Sequence, residues 1–192
     1  MDKPRQTLKS LRAIALEHAR AEQPDLASMA RDLGQIVHRS PFSTATRWTR
    51  RCPRGQGLGR WLLARRDQPA VSVMLMAWPA NHCTPLHDHA GLWGLELALI
   101  GALEVQSWSR DPNSGTLRAL GTDWLGPGDG TWFEGDRNQL HRCRNLSQRE
   151  IALTLHVYGG ELTWYLAWQQ AEPARISNGR AQQIALAGRM DT

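Results

Sequence analysis

Apolar positions recur in two different rhythms along the chain. Between residues 6 and 39 they fall at helical spacing: Leu8, Leu11, Ile14, Ala15 and Leu16, then Leu26, Met29, Ala30, Leu33, Ile36 and Val37. Residues three and four apart share one face of a helix, so each group makes an apolar stripe. Proline suits a first helical turn and not a helix middle. Pro24-Asp25 therefore predicts a break between two helices, and Pro41 the end of the second. From about residue 43 the rhythm shortens. Val71–Trp78, Trp93–Ile100, Leu103–Trp108, Thr131–Phe133, a segment near His141, Ile151–Tyr158 and Leu162–Trp168 read as strands. The runs Asp111–Gly115 and Gly126–Gly130 carry the proline and glycine of turns. Many short strands at this spacing predict an all-β sandwich or barrel. The expected organisation is a helical segment over 1–42 packed on a barrel domain over 43–171. A tail over 172–192 shows no legible pattern.

Composition narrows the class. With 192 residues, 41% hydrophobic and 21% charged, the chain suits one domain with a sizeable core. No apolar run reaches the length of a membrane span. The stretch Met1-Asp2-Lys3-Pro4-Arg5 lacks the apolar core of a signal peptide, so a cytoplasmic location is expected. Cys52, Cys83 and Cys143 form no CxxC and cannot all pair; partly buried free thiols are expected. The net charge of +5 is uneven: residues 1–66 carry 14 Lys and Arg against 5 Asp and Glu. Those basic residues are dispersed through helical sequence with no nucleic-acid motif, so a solvated basic face is expected. Neither nucleic acid nor membrane is an expected partner, and a monomer is the default.

The chemistry concentrates in the second part, where His82, His87, His89, His141 and His156 lie. On extended backbone, residues i and i+2 project from one face, so His87 and His89 can approach one metal ion. A third ligand must come from another strand, and His141 is the best candidate. Histidine also suits zinc, copper or nickel, so ligand type alone does not fix the metal. Thr154, His156 and Tyr158 alternate on one strand and share a face in the same way. Glu96 stands two residues after Gly94 and faces the same side of its strand.

Longer patterns carry a resemblance. His87-Asp88-His89 is followed by Gly101, Gly121, Pro127-Gly128 and His141-Arg142-Cys143-Arg144-Asn145, a sequence that resembles the two cupin motifs. Cupins usually add a glutamate shortly after the histidine pair; Gly94 stands in that place. Thiol dioxygenases use three histidines and no carboxylate. The stretch from Thr84 to Gly94 resembles their first motif, and His141-Arg142 with Asn145 their second. The run Thr154–Gly160 resembles their Ser-His-Tyr segment, with threonine for serine. The resemblance, to the cysteine dioxygenase and 3-mercaptopropionate dioxygenase group, implies a mainly β, cupin-type jelly-roll barrel. It implies iron(II) held by His87, His89 and His141, with a small thiol carboxylate and O2 as reactants and a sulfinic acid as product. It implies a hydrogen-bonded relay of Thr154, His156 and Tyr158, with the phenol hydroxyl at the oxygen site. Arg60, 27 residues before His87, would contact the substrate carboxylate, with Arg65 and Arg66 as competitors. Some animal relatives carry a cysteine cross-linked to the tyrosine where Gly94 stands, so no such link can form here. Trp78 and Trp93 are expected to line the barrel; Glu96 either points to the metal as a carboxylate ligand or pairs with a buried arginine, and the pairing is the preferred reading. Two alternatives stand beside this reading: a cupin enzyme with another metal or substrate, and a non-catalytic metal or ligand sensor.

Overall fold

In the computed structural model the described residues are 3–40, 42, 57–168, 170–171, 175–176 and 179–190. Cys52 and the arginines between 47 and 54 lie outside them. Two helices come first, α1 over Lys3–His18 and α2 over Leu26–Arg39. The break falls where Pro24 predicts it. Asp25 caps α2: its carboxylate accepts from the Ser28 backbone N–H at 3.0 Å and from the Ser28 hydroxyl at 2.7 Å. Such a cap contributes about 1 kcal/mol.

The strands that follow are β1 (Gly59–Asp67), β2 (Ala70–Trp78), β3 (Leu86–His87), β4 (Trp93–Ile100), β5 (Leu103–Arg110), β6 (Leu117–Leu125) and β7 (Gly130–Glu134). Then come β8 (Gln139–Asn145), β9 (Ala152–Tyr158), β10 (Trp164–Trp168), β11 (Gln170–Ala171), β12 (Arg175–Ile176), β13 (Arg180–Gln183) and β14 (Gly188–Arg189). One sheet has the order β14-β1-β2-β9-β4-β7 and the other β13-β10-β3-β8-β5-β6, with β11 and β12 a separate ribbon. The chain is mainly β, a jelly-roll of two sheets. Among the described residues no hydrogen-bonded seam joins the sheets into a single cylinder.

Alternation along the strands of the first sheet divides the core in two. Val71, Val73 and Leu75 of β2, Leu95 and Leu97 of β4, and Leu153, Leu155 and Val157 of β9 pack against Leu8, Leu11, Met29 and Leu33 of the helices. Met74, Met76 and Trp78 of β2, Ala98 of β4 and Tyr158 of β9 turn the other way. They meet Val105, Cys143 and Phe133 between the sheets. With both faces covered, β2 reads as an apolar run broken only by Ser72, while β9 keeps an alternation of Leu and Val with Thr154, His156 and Tyr158.

Strands beyond those expected include β1, β6, β13 and β14. The tail holds β13, which extends the second sheet beyond β10, and β14, which lies parallel to β1. All four residues of β13 are exposed, and a strand wetted on both faces leaves no apolar rhythm to read. β6 is buried only at its two ends and is hidden for the same reason; β1 is largely buried through Leu63, but Arg60, Arg65 and Arg66 interrupt its apolar run.

Candidate metal centre

The register of β3 against β8 sets His87 directly opposite His141. Between the histidines of the pair, Asp88 turns away. Its backbone N–H donates to Leu166 O at 3.1 Å, and its carboxylate accepts from Leu166 N–H at 2.8 Å. This pins the segment to β10 and leaves both imidazoles on the opposite side. Ala90 and Gly91 then take left-handed angles, φ 55° and 83°, that turn the chain into β4. Thr84 Oγ1 accepts from Cys143 N–H at 2.9 Å, fixing the approach of β3 to β8. The outcome is convergence: Nε2 of His87 and His141 are 3.2 Å apart, and one ring nitrogen from each of the three histidines lies within 4.8 Å of the others.

The donor set fits a metal ion. His87 Nδ1–H donates to Pro85 O at 2.9 Å, which leaves its Nε2 lone pair for the centre. His89 Nε2 is buried with no hydrogen-bond partner. An orphaned buried nitrogen carries a desolvation cost that a coordinated ion would remove. Burial pushes all three imidazoles below 6.5, His87 to about 3, so each is neutral and can ligate near neutral pH. The Phe133 ring stacks on His89 at 3.7 Å with 12° between planes. Gly94 makes room for that ring: a Cβ there would stand 2.2 Å from Phe133 Cζ and 2.9 Å from Tyr158 Cδ1. Tyr165 of β10 lies against the other side of the site, its ring 4.9 Å from that of His87.

From the facing sheet, β9 contributes the alternating set. Thr154 Oγ1 and His156 Nε2 are 2.7 Å apart, and His156 Nδ1 is 2.9 Å from the Tyr158 hydroxyl oxygen. Trp78 Nε1–H donates to Thr154 Oγ1 at 2.8 Å. Burial pushes the Tyr158 phenol well above its usual range, so it keeps its proton.

Glu96 differs from the expected arginine pairing. It is 3% exposed, and its partners are Cys143 Sγ at 3.4 Å, His156 Nδ1 at 3.4 Å and His141 Nε2 at 3.5 Å. The arginine-rich strand is β1, in the same sheet but separated from β4 by β2 and β9, whereas His156 is the direct cross-strand neighbour of Glu96. Burial alone would raise the carboxyl; its interactions with the adjacent His141 and His156 rings overcome this and hold it well below the usual carboxylate range. Trp93 is also corrected. The alternation that points Gly94 inward sends Trp93 to the helix side, where its indole packs on Gly159 and lines surface clefts of about 530 and 570 Å³. Trp78 does lie inside, stacked on His156. Cys83 is exposed and Cys143 buried, both free, where partly buried thiols were expected.

The three candidate arginines separate clearly. Arg65 pairs with Asp67 and Glu161 at the surface. Arg66 donates to the carbonyls of Leu16, Ala19 and Pro69, closing the end of α1. Arg60 is half-buried opposite Met76, an inward residue of β2. Its charge is felt at His82, His87 and Tyr158, and its guanidinium has no hydrogen-bond or ion-pair partner among the described residues.

Sequence reasoning missed Cys143, Phe133 and Tyr165. Cys143 was within reach, two residues after His141 and so on the same face. Phe133 and Tyr165 depend on which strands lie across the cavity, which local sequence does not carry.

The family model for cysteine dioxygenase type I matches residues 28–170. No curated protein matches the sequence. Among solved structures, the chain is similar to the Cnp3 cupin domain of Schizosaccharomyces pombe, with 14% identity and a TM-score of 0.43 over 55% of this chain and 66% of that one. The TT1209 protein of Thermus thermophilus shows 20% identity and a TM-score of 0.44 over 61% and 94%. An oxalate oxidase in complex with the substrate analogue glycolate shows 17% and 0.42 over 55% and 52%, so the chain spans about half of its length.

Proposed function

Because the chain belongs to the cysteine dioxygenase type I family, we propose that it is an iron(II) thiol dioxygenase. Its substrate would be a small thiol carboxylate of the cysteine or 3-mercaptopropionate type. The reaction joins one thiol with one O2 and gives one sulfinic acid, so both oxygen atoms enter the product. The observation that carries this reading is the convergence of three neutral imidazoles, one with an orphaned buried nitrogen, beside a hydrogen-bonded Thr154–His156–Tyr158 chain.

His87, His89 and His141 would hold the iron. When bound, iron(II) supplies Lewis acidity towards sulfur and redox chemistry towards dioxygen. The three ligands are uncharged, so they leave the cationic charge available to favour a thiolate over a thiol. Arg60, free of other partners among the described residues, takes the substrate carboxylate in its fork. Tyr158 offers its hydroxyl to the reacting oxygen, held in place by His156 and Thr154. Phe133 and Trp78 keep water from the reacting atoms. The helical segment 1–42 and the tail 172–192 serve the barrel of 43–171 as supports.

Purified iron-loaded protein tests the proposal in an oxygen electrode with a panel of small thiols. Sustained uptake with a thiol acid, about one iron per chain, and loss of both in His89→Ala are expected. Stoichiometric iron in His89→Ala, or no uptake with any thiol, would refute it.

A further inference from the structure

Glu96 is a buried carboxylate whose surroundings, among the described residues, hold histidines and a thiol but no arginine or lysine. A buried carboxylate must accept hydrogen bonds. Its Oε2 accepts the Cys143 thiol hydrogen at 3.4 Å. Its Oε1 faces two ring nitrogens, His156 Nδ1 at 3.4 Å and His141 Nε2 at 3.5 Å. In the reading above, His141 Nε2 carries a lone pair for the metal and no proton. The ring N–H left for Oε1 is then that of His156 Nδ1.

The other end of the chain is compatible with this. An indole N–H can only donate, so Trp78 Nε1 donates to Thr154 Oγ1. With a second lone pair and one hydrogen left, the threonine can either accept from His156 Nε2, 2.7 Å away, or donate to it. The carboxylate decides between the two: with the His156 proton on Nδ1 for Glu96, Nε2 is bare and accepts from Thr154. Tyr158 lies 2.9 Å from Nδ1 and cannot donate to it. The phenol oxygen can only share the Nδ1 hydrogen, and its own O–H turns towards the cavity, where its ring stands 5.8 Å from that of His89.

We propose that Glu96 is a positioning residue that sets the direction of this chain, holding the His156 proton on Nδ1 so that Tyr158 is a hydrogen-bond donor to the reaction cavity. The inference rests on the dioxygenase reading for its use, not for its geometry. Without the carboxylate the chain reverses: Tyr158 donates to Nδ1, and His156 Nε2–H donates to Thr154. Gly94 and Glu96 then divide the work on β4, one leaving room for Phe133 and Tyr158, the other orienting the tyrosine through His156.

The test is nitrogen NMR of histidine-labelled, Zn²⁺-loaded protein, which reports the tautomer of each ring; the His156 signals are assigned by their loss in His156→Gln. The wild type is expected to show a proton on Nδ1 and a bare Nε2. Glu96→Leu should move the proton to Nε2 while still binding zinc one to one. Glu96→Gln, which keeps an oxygen acceptor, should restore the wild-type pattern. In iron-loaded protein, Tyr158→Phe should lower turnover in the wild type and change it little in the Glu96→Leu background. A wild-type proton on Nε2, or the same tautomer in Glu96→Leu, overturns the proposal. So does loss of zinc in Glu96→Leu, which would place Glu96 among the metal ligands. If Glu96→Leu does not fold, the wild-type tautomer and Glu96→Gln decide it. Because the NMR readout needs no turnover, a protein that oxidises no thiol would fail the functional reading and leave this measurement intact.

Discussion

In the proposed reaction Arg60 and Tyr158 act from different strands and should fail differently. Arg60 is half-buried, with no partner for its guanidinium among the described residues. Arg60→Ala should raise KM for a thiol acid roughly ten- to a hundredfold, the equivalent of about 1.5–3 kcal/mol for one charged hydrogen-bond partner. A thiol with no carboxylate should show little change, and equal losses on both would indicate a structural role. Tyr158→Phe removes a hydroxyl and no ligand. It should keep full iron content while kcat falls on the order of a hundredfold or more, the usual scale for a positioned proton donor. Unchanged kcat would exclude the role. These residues were legible because they sit at fixed spacings: His87 and His89 two apart, and Thr154, His156 and Tyr158 two apart. Glu96 was legible as inward-facing and not as to its partners. Those come from β8 and β9, and only the folded sheets bring them together.

At the scale of the element, β4 shows how one strand serves two layers. Leu95 and Leu97 bury against the helical side, and Gly94, Glu96 and Ala98 face the interior. Gly94→Ala would put a methyl group into the Phe133 ring. It should cost roughly 1–3 kcal/mol by overpacking, and it should weaken metal binding as well, since Phe133 braces His89. Denaturation midpoints and metal titration read the two effects, and an unchanged midpoint would show that the ring can move aside without cost. Elements with one or both faces buried against a core left a trace in the sequence; β2, β4 and β9 were read to within a residue or two. The exposed strands β13 and β14 were not read. A strand selected for pairing at a sheet edge, with no apolar face, looks like any polar segment.

In the whole molecule, the two-sheet arrangement places the three candidate ligands on one side of the cavity and the Thr154–His156–Tyr158 chain on the other, with the helices sealing the outer face of the first sheet. The same burial that keeps the ligands neutral makes the metal-free protein sensitive to acid. The folded state resists protonating His87 down to about 3, whereas an unfolded chain protonates it near 6.5. Between those values the unfolded state binds more protons, so stability should fall as pH drops through this window, most steeply where several buried histidines are involved. Unfolding midpoints of metal-free protein against pH measure it, and a flat profile from 6.5 to 3 would contradict the burial of neutral ligands. The central claim is oxygen chemistry at the three-histidine centre, and isotope labelling tests it most directly. Iron-loaded protein is given a small thiol carboxylate under ¹⁸O2, and the product is weighed by mass spectrometry. The account predicts a sulfinic acid carrying both labelled atoms; a disulfide, or a sulfinic acid with oxygen from water, would contradict it.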